Sequence, residues 1–401
     1  MGRTADYTIQ GFLYQFNKTL LEILKSPDEA VITVEGIVED IEVVDGDVIT
    51  AIQCKYHESA EKFQASKIYK PLLQMMDHFH FKSNGKVNYV LFAHFPGLPT
   101  EVINVDKQML EKALETGNKE LNAYVLKLKG IVNLDDFLLK FSAAVGPAFD
   151  ALVQDVCDLL VATGISTQEV KTLFYPNAIN MIANLSIQHE ATQRKVTKKD
   201  FLVNLHQIKK TAISQWTLSL KNNQEILMAR RKQLKSNLSK NARTRYFLLY
   251  DDGLEEFDTQ VVIFISDYLD KYHFKMAHIR TPIFCLNTTE EKFKEIQHRL
   301  YQKGIESNDG FVADAFEEGR FFKDPMAQKG DQGSVKREFN IRLLRFSSHG
   351  TVLNKRKGDD IFVLGKGGFD AIEIEDVNLE ELTTNSFNQI KYMIGLSDVY
   401  E

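Results

Sequence analysis

Asp40, Gln53 and Lys55 are residue types that can act together on a phosphodiester, and they fall in the stretch "EGIVEDIEVVDGDVITAIQCKYHE". Its β-branched runs are broken at Gly36 and at Asp45-Gly46, and Asp-Gly between such runs signals a two-residue type I′ hairpin. That turn pairs Val44 with Asp47 and sets Asp40 across from Ala51. Side chains alternate along a strand, so Ala51, Gln53 and Lys55 share one face, with Asp40 diagonal to Gln53 on the same face at about 7–8 Å. A carboxylate and an amide oxygen are hard ligands for Mg²⁺ or Mn²⁺. The cation neutralises charge on phosphate, and a lysine beside it can orient or deprotonate water and stabilise the transition state. Asp40 and Gln53 are therefore the expected metal ligands, with Glu35 as a second carboxylate. In this register Glu39 points to the opposite face, although a bulge near Gly36 exchanges the roles of the two glutamates. A solvated edge hairpin with alternating charge fits the same residues.

The elements that must position this hairpin are readable from spacing. Ile9, Phe12, Leu13, Phe16, Leu20, Leu21 and Leu24 predict an amphipathic first helix over 8–24. Pro71 suits the first turn of a helix in "KPLLQMMDHFHFK", and "KVNYVLFAHF" reads as a central strand covered on both faces. Residues 1–130 are thus expected to form a mixed α/β domain. Residues 131–243 are expected to be helical, including "LDDFLLKFSAAVGPAFDALV" with a break at Gly146-Pro147 and a capped helix start at Thr197-x-x-Asp200. Residues 244–401 are expected to form an α/β or α+β domain, ending in a β meander over "FNIRLLRFSS" and "DDIFVLGKGGFDAIEIED".

Composition bounds the class. The chain has 401 residues, 26% of them charged, and a net charge of −6. Nothing in the overall balance announces a nucleic-acid binder, but the basic residues are grouped at 192–200 and 228–245. No apolar run approaches the roughly 20 residues that span a bilayer, and the N-terminus lacks a signal-peptide pattern, so the expectation is a cytoplasmic protein without a membrane. Three scattered cysteines, Cys54, Cys157 and Cys285, predict reduced thiols and no zinc site. His78-x-His80 lacks metal-ligand spacing, and "LGKGGFD" lacks the fingerprint of a nucleotide-binding loop.

The order of helix, strand, acidic hairpin arm and "Q-x-K" resembles the PD-(D/E)xK nuclease superfamily, with Gln53 where the second acid usually stands. A narrower resemblance, carried by "GFLYQ" (11–15), Glu35, Glu39-Asp40 and "QCK" (53–55), is to bacterial anti-phage DNA endonuclease domains. Such domains head CBASS effectors with a SAVED ligand sensor and occur beside HerA-like ATPases. It covers roughly residues 8–100 and extends to 240 if the helical region is included. It implies a restriction-endonuclease-like fold, Mg²⁺-dependent cleavage of double-stranded DNA by Asp40, Gln53 and Lys55, and supporting roles for Glu35, Glu39, Tyr14 and Gln15. It also implies a homo-oligomer and a HerA-like ATPase partner. Lys62, Lys67, Lys70, Arg230 and Arg231 are the candidate DNA contacts, since phosphate contacts need only positive charge near the backbone. Three readings follow: an endonuclease working with a HerA-like ATPase, a nuclease gated by a cyclic oligonucleotide through its C-terminal domain, and a non-catalytic scaffold.

Overall fold

The computed structural model describes residues 2–36, 38–57, 63–83, 85–96, 103–275, 278, 280–329, 335–368 and 371–400. It is a mixed α/β chain of two compact units, residues 1–209 and 210–401. The expected helical domain at 131–243 is not a separate body. Its first part completes the sheet of the first unit, and its last part packs within the second.

In the first unit a long helix, α1 (Gly2–Lys25), precedes an antiparallel meander of β1 (Val31–Val34), β2 (Ile41–Asp45) and β3 (Val48–Tyr56). Helix α2 (Tyr69–Phe81) then crosses over to β4 (Val87–His94), which runs parallel to β3. A helix is the usual connection between parallel neighbours. β5 (Phe141–Val145) extends the sheet beside β4, and β6 (Lys195–Thr197) closes the far edge beside β1. The order is β5-β4-β3-β2-β1-β6. The run "FSAAV", expected within a helix, is therefore a strand. Short apolar runs fit either period, and here the free edge of β4 decides the outcome.

One face of this sheet carries Ala51, Tyr89, Leu91 and Ala93, packed with Leu72, Leu73, Met75 and Met76 of α2. α1 lies against the other face, where Tyr14 stacks on Tyr56 at 4.7 Å and on Phe92 at 5.8 Å. The helices Phe149–Ala162 and Tyr175–Ser186 cover α1 from outside. Every residue from Leu13 to Leu21 is consequently buried, including Asn17, whose side chain accepts a hydrogen bond from Tyr175 at 3.0 Å. α1 is a core helix and not the one-sided amphipathic helix its leucines suggest. Thr197 caps the next helix by accepting from the Asp200 amide, as its spacing predicts.

The second unit holds a six-stranded sheet in which every pairing is parallel. Its central strand Arg245–Tyr250 is buried along its whole length. The segments expected as a meander supply the parallel strands Ile341–Arg345 and Asp360–Leu364, and the last strand is Asn378–Leu382 instead of "AIEIED". Strands buried on both faces read as continuous apolar runs, which hides their direction.

Candidate functional site

The hairpin that carries the candidate residues has a different register from the expected one. Asp45 pairs with Val48 and Glu42 with Ala51, so the two-residue loop is Gly46-Asp47, with Gly46 at φ +58°. Continued past the end of β2, this register sets Asp40 level with Gln53 instead of Ala51. The slip is two residues, and because side chains alternate with a period of two it leaves the faces unchanged. Asp40 is brought closer to Gln53 than expected. The Gln53 side-chain amide donates directly to Asp40 Oδ2, and the backbone amide of Cys54 donates to the same oxygen at 2.8 Å.

Glu35 ends β1 with a left-handed φ of +51°, a conformation costing about 1 kcal/mol or more in a non-glycine residue. Three contacts hold it there. Its amide donates to Asp40 O at 2.8 Å, Gln15 Nε2 of α1 donates to its Oε1 at 2.7 Å, and Arg194 Nη1 donates to its carbonyl at 2.8 Å. Gln15 thereby ties the first helix to the Glu35 carboxylate. Arg194, the last residue of the short 3-10 helix Ala191–Arg194, is a partner of Glu35 that sequence reasoning missed, because it lies far along the chain and was counted only within the basic group 192–200. Tyr14 does not join the site. It is fully buried, its hydroxyl donates to Pro147 O at 3.0 Å, and its ring serves the core.

Residues 38–40 form a bend outside any strand, so strict alternation lapses there and Glu39 turns inward. Its side chain is only 7% exposed, and Oε1 has no hydrogen-bond partner among the described residues. The expectation that Glu39 points away from the site is corrected by this bend. Burial pushes the Glu39 carboxyl up to about 8; the Asp40 charge adds to the shift and Lys55 opposes it. Burial also raises Asp40, against the Cys54 amide, Lys55 and Gln53. Glu35 is raised by burial and by Asp40, against Gln15, Arg194 and Lys55. Three carboxyl groups on the segment between β1 and β2 and one lysine on β3 thus share one electrostatic neighbourhood.

These donors suit a hard divalent cation by type, since carboxylate and amide oxygens are what Mg²⁺ takes, and Glu39 supplies a buried oxygen with no partner. Among the described residues no three His, Cys, Asp or Glu side chains converge as a ready-made ligand group. A cation here would rest on one or two carboxylates completed by backbone oxygen and water, which is ordinary for Mg²⁺. Gln53 is poorly disposed as a ligand, because the amide end facing Asp40 is the nitrogen, which has no lone pair to give.

The candidate DNA contacts divide. Lys67 and Lys70 are exposed near the start of α2, and Lys62 lies outside the described residues. Arg230 is not available to phosphate: it is 2% exposed and paired with Glu380 at 2.5 Å. Arg231 is paired with Asp398 at 2.6 Å and stacked over Tyr392. Arg243 grips the fully buried Asp360 with two bonds of 2.7 Å. Arg245 donates to the carbonyls of Asn237, Leu238 and Lys240 at the end of the helix Asn223–Leu238. The arginines of this basic run thus hold the second unit together, a role that charge counting cannot distinguish from a DNA surface. His78 is bonded to the Tyr89 hydroxyl at 2.7 Å, and the glycine-rich turn after Leu364 packs its backbone against Gly253.

No family model and no curated protein matches the chain. Among solved structures it is similar to a Cap4 SAVED/CARF-domain containing receptor of Acinetobacter baumannii with the cyclic trinucleotide 2′3′3′-cAAA. That match has 12% identity and a TM-score of 0.31, over 82% of this chain and 69% of that one. The Cap4 SAVED/CARF-domain containing receptor of Moraxella osloensis matches at 11% identity and a TM-score of 0.28, over 96% of this chain and 93% of that one. At such scores the functional reading stands on the residues of the site. No helix among the described residues is long and apolar enough to cross a membrane.

Proposed function

We propose that the first unit is a metal-dependent DNA endonuclease of the PD-(D/E)xK kind, serving anti-phage defence. The observation that carries this reading is the gathering of Asp40, Glu39, Glu35 and Lys55 around the β2–β3 hairpin, with Asp40 fixed by Gln53 and the Cys54 amide. The antiparallel meander, the crossover helix α2 and the parallel β4 support the reading by setting these residues against one mixed sheet.

In this reading the carboxylates hold Mg²⁺ or Mn²⁺, which when bound neutralises charge developing on the scissile phosphate. Lys55, on the same face as Gln53, orients the attacking water and donates to the phosphate oxygens as charge builds on them. Gln53 and the Cys54 amide keep Asp40 at one orientation, and Gln15 and Arg194 keep Glu35 in its strained turn. Lys67 and Lys70 offer positive charge to the DNA backbone. Homo-oligomers and a HerA-like ATPase are the proposed assembly, on the strength of the sequence resemblance alone. Covalently closed circular DNA tests the endonuclease reading: it is nicked with Mg²⁺ by the wild type and left intact by Asp40→Asn. Attack confined to linear DNA would point to an exonuclease instead.

A second reading, gating by a cyclic oligonucleotide, is favoured by the second unit. In its parallel sheet the chain leaves the adjacent strands Arg245–Tyr250 and Asp360–Leu364 in opposite directions, and ligands of such sheets sit beyond the carboxyl ends of the strands near that point. At the same end of the sheet, beside Arg345, lies a cavity of about 500 Å³ lined by Phe293, Lys294, Phe311, Arg345 and His349 among others. Cyclic oligonucleotides that switch on cleavage by the isolated protein select this reading. Cleavage that needs the ATPase and ignores them selects the first.

A further inference from the structure

We propose that Glu39, immediately before Asp40, is the second carboxylate of the cation site and takes the place of the acid that Gln53 replaces on β3. This inference rests on the metal-dependent reading above and names the ligand within it.

Four carboxylates lie on the arm that leads into the hairpin, residues 35–42, and three are already engaged. Glu42 accepts from the Val38 amide at 2.6 Å. Glu35 accepts from Gln15 at 2.7 Å. Asp40 accepts from Gln53 and from the Cys54 amide. Glu39 alone among the four combines 7% exposure with an oxygen that no described group satisfies. A carboxylate withdrawn from water without a donor is costly, and such groups persist where they meet a cation or hold a proton. Its surroundings are those of the site: Asp40 and Glu42 on the hairpin arm, Lys55 on β3 and Tyr89 on β4 all lie within its electrostatic reach.

The bend at 38–40 makes this possible. On a regular strand, consecutive residues face opposite sides, and Glu39 and Asp40 could not serve one ion. Off the strand they can turn the same way. The acid lost from β3 is thereby recovered from the facing arm, while Gln53 uses its amide nitrogen to hold Asp40.

Calorimetric titration of the full chain with MnCl₂ tests this, comparing wild type with Glu39→Gln, Glu39→Asp and Glu35→Gln. The expected result is Mn²⁺ binding by wild type, at least tenfold weaker binding by Glu39→Gln, a smaller loss for Glu39→Asp, and the smallest loss for Glu35→Gln. Thermal melting in a chelator accompanies it. Glu39→Gln is expected to melt no lower than wild type, because an amide is less costly to bury than an unpartnered carboxylate. Should Glu39→Gln fail to fold, the ordering of Glu39→Asp and Glu35→Gln decides, and a larger loss for Glu35→Gln overturns the inference. Undiminished Mn²⁺ binding by a folded Glu39→Gln overturns it while the metal-dependent reading stands. No Mn²⁺ binding by wild type overturns both.

Discussion

Asp40 is held from two directions, while Glu39 beside it keeps a buried oxygen with no partner among the described residues. That asymmetry has a measurable consequence in the absence of divalent ions. Burial raises Glu39 from 4.5 to about 8, so across that window the folded state holds a proton that the unfolded state has released. Stability therefore falls as pH rises from about 4.5 to about 8, by at most about 5 kcal/mol, and levels off above it. Glu35 and Asp40, also raised, slope in the same direction. Thermal melts in a chelator should show a lower melting temperature at pH 8 than at pH 5, and Glu39→Gln should flatten much of that slope. An unchanged slope in the variant would count against the burial assigned to Glu39. That Asp40 lies beside Gln53 was legible in the sequence because strand alternation across a tight turn puts both on one face. Glu39 was misplaced because alternation was carried through a bend that has no strand geometry.

The elements show where sequence periodicity suffices and where it does not. The meander, the crossover helix and the apolar β4 were all readable, since each has its own pattern of turn residues and apolar spacing. The hairpin register was read two residues away from the observed one because Asp45-Gly46 was taken as the loop, when Gly46-Asp47 forms it. The faces survived the error only because the shift was even. Substituting alanine for Gly46, at φ +58°, should destabilise the first unit by about 1 kcal/mol through that turn, as read from chemical denaturation. The basic helix Asn223–Leu238 was beyond reach for another reason: its arginine partners, Glu380 and Asp398, lie far along the chain. Arg230→Ala leaves the buried Glu380 with Lys210 and Asn378 as its partners among the described residues, and should cost the second unit roughly 3–5 kcal/mol. Joint replacement of the exposed Lys67 and Lys70 by alanine should leave stability within about 0.5 kcal/mol. The same pair should weaken DNA binding and flatten its salt dependence, which a filter-binding series at several salt concentrations would read.

At the scale of the whole molecule, the division at 209/210 sets what can stand alone. β5 and β6 flank the first sheet at its two edges, and α1 is covered by helices from 149–186. A fragment of residues 1–209 should therefore fold and melt cooperatively, whereas 1–130, lacking both edge strands and the cover of α1, should aggregate or remain unfolded. Calorimetry of the two fragments distinguishes these outcomes, and a cooperative transition in 1–130 would contradict the assignment of 131–209 to the first unit. The second unit was foreseen as α/β or α+β, yet its wholly parallel six-stranded sheet was not, because strands buried on both faces carry no periodic mark of their direction. Cleavage by the first unit is read by incubating supercoiled plasmid with Mg²⁺ or Mn²⁺ and either wild type or Lys55→Ala, alone and with a HerA-like ATPase or cyclic oligonucleotides. Wild type should cleave in at least one of these conditions, and the substitution should reduce that cleavage at least 100-fold, on the order expected for a group acting on the reacting water or phosphate. Equal cleavage by both proteins, or none by wild type under every condition, would contradict the endonuclease reading.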